Sequence, residues 1–273
     1  MRYILLFLST ALCLSSNAQQ VYGSISIGEQ LIIEGDQAAF SKTNAYLQIS
    51  TPWLWSYDFI SFKRLTNFGL SFGYLMNNNL GIELTSTYLK PSNSEVFANY
   101  VTKTLSGNFF RINPKIVVNL NLNKFQFYSK VGFIIGAGQI RYNQYFQNDG
   151  TMNVSAENES LVYLYNGGTS YGFNTSIGFS KKVSKKIYVY TEINAVSQNF
   201  SPTKGKTIEH KIDGQDVLTN NMKPYTNEIE FCNDQEFVPF TADNANPQKL
   251  YKHAYSLGGY GLTIGVKFIL WKK

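Results

Sequence analysis

The chain has 273 residues and a formal net charge of +6, with 15% aromatic and only 15% charged residues. Its lysines and arginines form no long block. The charge therefore reads as a solvated surface rather than a nucleic-acid site, and it is compatible with anionic lipid headgroups. The aromatics are nearly all Tyr and Phe, and with abundant Asn, Ser and Gly they point to strands rather than helices.

The opening MRYILLFLSTALCLSSNAQQ has a positive residue at Arg2, an apolar core from Tyr3 to Leu14 and a small-x-small site at Ser16-Asn17-Ala18. This is the pattern of a secretory signal peptide over residues 1–18, with the domain proper at 19–273. Its apolar core is too short for a transmembrane helix, which needs about 20 residues. Cys13 lies inside that core behind Leu12, where a lipidated cysteine would follow a small residue. Cleavage leaves one cysteine, Cys232, so no intrachain disulfide can form.

Period-two segments then recur at 21–30, 67–76, 79–89, 108–121, 125–139, 170–181, 186–198 and 255–271. In the second, Phe68, Leu70, Phe72, Tyr74 and Met76 oppose Gly69, Ser71 and Gly73. The third sets Leu80, Ile82 and Leu84 against Gly81, Glu83 and Thr85. In the fourth, Phe110, Ile112, Pro114, Ile116 and Val118 oppose Arg111, Asn113, Lys115 and Asn119. The fifth and sixth repeat this with Lys130, Gly132, Asn174 and Gly178 on the polar side, and the last sets Tyr260 to Leu270 against Gly261, Gly265 and Lys267.

Connections between these segments alternate strictly. Asn77-Asn78-Asn79, 121–124 and 182–185 are tight, while 31–66, 90–107, 140–169 and 199–254 are long and polar. Asparagine suits tight turns because it tolerates positive φ and bonds its own backbone. In an up-and-down barrel this alternation collects the short turns at one rim and the long connections at the other, as in transmembrane barrels. Glycine weakens a strand facing water but suits the narrow interior of eight strands. The bulky face then meets lipid, and closure satisfies the backbone. The expected fold is all-β: a closed antiparallel up-and-down transmembrane barrel of eight strands with long extracellular loops.

The QQ start after the signal, the NNN hairpin and the closing strand YGLTIGVKFILW resemble the small eight-stranded outer-membrane barrels. These are the OmpX type, the OmpA barrel domain and the outer-membrane barrel proteins of the Bacteroidota. The resemblance implies a bacterial outer-membrane location, contact with membrane lipid and lipopolysaccharide, and recognition by the barrel insertion machinery. It also implies that the last strand is the assembly signal, carried here by Tyr260, Leu262, Ile264, Val266, Phe268, Leu270 and Trp271. A Lys272-Lys273 tail follows, where the usual signal ends on its aromatic.

Six charges fall on the inward face: Glu83, Arg111, Lys115, Lys130, Glu192 and Lys267. Such groups need partners in a low-dielectric interior, so they read as a pairing network that plugs the lumen, with an ion path as the other reading. His210, near Glu209 and Asp213, and His253, near Ser256, are the only histidines, and neither sits in a nucleophile motif; no catalytic residue is assigned. The alternation Glu228, Glu230, Cys232, Asp234, Glu236 reads as a solvated acidic edge, and no metal or cofactor site is assigned. Tyr22, Tyr88, Tyr171, Tyr188, Tyr255 and Trp271 fall near strand ends, where aromatic girdles sit. Trp53, Trp55 and Tyr57 lie in the first long connection. The expected role is non-enzymatic, with the long loops binding a protein, glycan or lipid partner. A narrow channel for ions or small solutes is the first alternative, and a lipid-modifying enzyme the second.

Overall fold

The computed structural model describes residues 20–32, 62–98, 101–123, 125–147, 158–218, 227–232, 247–252 and 254–272. The expected signal peptide, His253 and the Trp53–Tyr57 stretch lie outside the described residues. In chain order the first strands are β1 (Gln20–Ile32), β2 (Arg64–Leu75), β3 (Leu80–Pro91), β4 (Ser94–Ala98), β5 (Val101–Leu122) and β6 (Phe125–Phe146). Next come β7 (Glu159–Asn166), β8 (Ser170–Lys182), β9 (Ile187–Phe200), β10 (Lys204–Ile212) and β11 (Gln215–Asp216). The last are β12 (Glu228–Cys232), β13 (Gln248–Tyr251), β14 (Tyr255–Ser256) and β15 (Gly259–Lys272).

Antiparallel pairings run β1–β2–β3–β5–β6–β8–β9–β15 and return to β1, a ring of eight strands. Each ring strand has at least 12 residues, which exceeds the roughly 9–11 that a tilted strand needs to cross a bilayer. Outward residues are apolar and exposed: Phe173 is 65% and Ile177 70% accessible, with Leu70, Ile116, Ile193 and Leu262 alike. Inward residues are buried, many of them polar or glycine toward the short turns and apolar toward the long connections. At the first short turn, the Asn77 carboxamide oxygen accepts from the backbone N–H groups of Asn79 (2.9 Å) and Leu80 (2.7 Å). That local bond is the reason for asparagine there.

The lumenal glycines have a specific use. In register, Tyr22 faces Gly73, Tyr128 faces Gly178 and Tyr190 faces Gly265. Each ring lies where a Cβ on its glycine would stand, so any larger residue would displace the tyrosine. The narrow interior is filled by rings folded over glycine backbone rather than left open.

Three connections expected to be polar loops carry strands. The stretch 90–107 holds β4 and the start of β5, 140–169 holds the end of β6 and β7, and 199–254 holds β10 to β13. These segments form an upper sheet in the order β13–β12–β10–β7–β6–β5–β4, rising beyond the ring. β7 and β8 are successive parts of one descending run along β6, separated by Gly167 and Gly168 at φ +74° and +79°. The outward residues of this sheet include Thr104, Ser106, Arg141 and Asn143, so the apolar alternation ends although the strands continue.

At the same end, inside the ring, Phe62, Leu65, Leu89, Leu105, Phe109, Phe200 and Leu257 form a buried apolar cluster. Phe109 of β5 meets Phe200 of β9 edge to face with centroids 5.2 Å apart, and Phe62 meets Phe109 at 5.7 Å. The cluster thus spans the lumen between strands that are not neighbours in the ring.

Candidate functional site

Nearer the short turns, the lumen contains a charge cluster. Glu83 on β3, Lys130 on β6 and Glu192 on β9 come from strands spaced around the ring and meet inside it. Lys130 Nζ lies 3.0 Å from Glu83 and 2.9 Å from Glu192, and all three side chains are buried. Lys115, opposite Glu83 in the β3–β5 register, approaches the same carboxylate at 3.8 Å. Two tyrosines complete the acceptors: Tyr22 donates to Glu83 at 2.7 Å and Tyr128 to Glu192 at 3.3 Å. Lys130 also sits 4.8 Å from the centre of the Tyr128 ring. A buried ammonium is tolerated only when its partners are this close and their remaining lone pairs are satisfied.

Lys267 and Arg111 stand apart from the carboxylates. Lys267 donates to Gln126 Oε1 at 2.6 Å and lies over the rings of Tyr22 and Tyr188, each at 5.1 Å. Gln126 in turn donates to Asn121, which donates to the Asn78 carbonyl, so a hydrogen-bonded path links Lys267 to the short-turn rim. Arg111 is buried opposite Thr87, and its Nε and Nη1 have no hydrogen-bond partner among the described residues. The space left between Lys130, Lys267, Tyr22 and Tyr190 is a cavity of about 10 Å³, room for about one water.

The expected aromatic girdle needs correction. Tyr88, Tyr171 and Trp271 are outward and exposed, but Tyr22 and Tyr255 are buried, and Tyr188 is only partly buried. Tyr22 shares its side of β1 with Ser24 and Gln30, so strand parity turns it inward despite its place near the strand end. That parity was the available signal for its role in the charge cluster.

In the upper sheet, the partner of His210 is Glu159 at 2.6 Å, rather than Glu209 or Asp213. β10 pairs with β7, which brings together residues 51 apart in sequence. Glu209 accepts from Lys211 at 2.8 Å, and this contact holds the Lys211 ammonium pKa above its ordinary value. Asp213 accepts from the Asn158 backbone. Among the described residues, no nucleophile is hydrogen-bonded to His210. Glu228 and Glu230 lie exposed on β12, opposite Lys206 and Lys204 in register, while Cys232 is buried with its thiol 3.5 Å from the Leu250 carbonyl. No group of three metal-ligating side chains occurs among the described residues.

A ring of antiparallel strands, apolar outside and with a buried charge cluster inside, defines a β-barrel of the outer-membrane class. The sequence family described as "Outer membrane protein beta-barrel domain" matches residues 5–229, and the chain belongs to it. A bacterial outer-membrane, lipid environment follows from that membership. The crystal structure of the N-terminal β-barrel domain of Pseudomonas aeruginosa OprF is 9% identical, covers 93% of this chain and 99% of that chain, and has a TM-score of 0.35. No curated protein matches.

Proposed function

We propose that this chain is an integral, non-enzymatic outer-membrane protein whose upper sheet and long connections bind a protein, glycan or lipid partner at the cell surface. In this reading the ring is a closed transmembrane barrel, the long connections face outward, residues 1–18 are removed on export, and the alternating β15 face with Trp271 guides insertion. The six inward charges act as a plug. One observation carries the reading: β5 and β6 continue past the apolar belt into a polar-faced upper sheet, at the end of the lumen spanned by the Phe62–Phe109–Phe200 cluster. This supports a role at the surface over one as a pore. Deleting residues 213–250 spares β10 and the ring. Co-purification from native outer membranes is expected to lose a discrete partner while the barrel stays inserted; an unchanged profile overturns the reading.

The buried charges favour a second reading, a narrow path for ions. It requires steady conductance in planar bilayers that changes with Glu83→Gln or Lys130→Met. The expected result for the filled lumen is a silent membrane.

A further inference from the structure

The fold joins a lysine-rich turn to the lysine end of the last strand. The β8–β9 turn reads KKVSKK, and Lys181, Lys182, Lys185 and Lys186 are all exposed. The backbone N–H of Ile269 donates to the Lys186 carbonyl at 2.8 Å, which fastens this turn to the end of β15, where Lys272 is also exposed. Five cations therefore share one sector of the short-turn rim. The strand ends and turns there, residues 74–82, 118–127, 179–189 and 268–273, contain no Asp or Glu. The exposed carboxylates of the described residues, including Glu29, Glu95, Glu228 and Glu230, lie toward the opposite end.

Unpaired like charges held side by side repel one another unless an anion lies between them. Here the cations form no ion pair among the described residues, and they border the apolar belt directly. Lys181 Nζ lies over the ring of Phe125, an exposed residue of the belt, 6.0 Å from its centre. Exposed Leu270 and Trp271 precede Lys272 in the same way. Cations continuous with a lipid-facing surface sit at headgroup height, where each attracts anionic lipid. We propose that this sector of the short-turn rim binds the phosphate headgroups of anionic phospholipids in the leaflet it faces. The inference rests on the membrane-barrel reading and assigns that barrel a lipid site.

The test uses the full mature chain in nanodiscs of equimolar phosphatidylcholine and phosphatidylglycerol, with retained lipid read by native mass spectrometry. Phosphatidylglycerol is expected to be retained several-fold over phosphatidylcholine. Combined Lys181→Gln, Lys182→Gln, Lys185→Gln and Lys186→Gln should bring retention near parity, each lysine contributing at most about fivefold. Lys63→Gln, Arg64→Gln and Lys90→Gln, at the opposite rim, should leave the enrichment intact. Circular dichroism and protease protection report insertion separately. An inserted barrel without the preference, or with one that survives the fourfold change, overturns the proposal. So does lysine-dependent sedimentation with purified peptidoglycan in the absence of a lipid preference. A chain that inserts into no bilayer overturns the barrel reading and this inference with it.

Discussion

The two halves of the lumen fill the same narrow interior with opposite chemistry. Toward the short turns, Glu83, Lys130 and Glu192 meet with tyrosine hydroxyls at hydrogen-bond distances. Toward the long connections, Leu65, Leu89, Leu105 and Phe200 pack without any measurable exposure. Charged groups interact through directed contacts and leave a large penalty when one is removed, whereas an apolar cluster depends mainly on volume. The first half should therefore fix which strands face each other, while the second should hold the ring shut and tolerate exchange. Breaking each half in its own way tests that division.

The largest effect is expected from Lys130→Met. It strands Glu192, whose other described partner is Tyr128, and should cost about 3–5 kcal/mol in urea unfolding from lipid vesicles. Adding Glu192→Gln should recover most of that loss, because Glu83 keeps Lys115 and Tyr22. A single substitution costing no more than an ordinary surface change would mean that the cluster is solvated and specifies nothing.

Next is the apolar half. Leu105→Ala removes a fully buried side chain and should cost about 2–5 kcal/mol. Leu105→Met conserves volume and should cost less than about 1.5 kcal/mol. If the two substitutions destabilise equally, the cluster depends on specific shape, and the contrast with the charged half fails.

These halves were unequally legible in the sequence. The eight ring strands could be read because their pattern is local: each alternates within itself, and asparagine marks two of the three tight turns. Their faces followed from that alternation, and the six charged residues on the polar faces are all buried. Which charges meet could not be read, because it depends on strands β3, β6 and β9 converging across the ring. The tyrosine–glycine pairs were equally hidden, since Tyr22 and Gly73 are neighbours only through register. The upper sheet was missed for a different reason. Thr104, Ser106 and Asn143 make its outward side polar, so strands that continue lose the apolar alternation that announces them. Glu159 as the partner of His210, and the union of KKVSKK with the end of β15, likewise required the fold.

The smallest loss expected in the charged half tests the junction of packing and charge. Tyr22→Phe keeps the ring over Gly73 and removes only the hydroxyl that donates to Glu83 at 2.7 Å. A hydrogen bond to a charged group contributes about 1.5–3 kcal/mol, so the unfolding free energy should fall by that much while the barrel still inserts. The carboxylate would retain Lys130, Lys115 and the Thr85 hydroxyl. Those partners should keep the loss below that of Lys130→Met. If Tyr22→Phe instead matches Tyr22→Ala, the hydroxyl rather than the ring does the work at this position. The glycine opposite would then serve to bring a donor to Glu83, and ring packing would be secondary in the charged half of the lumen.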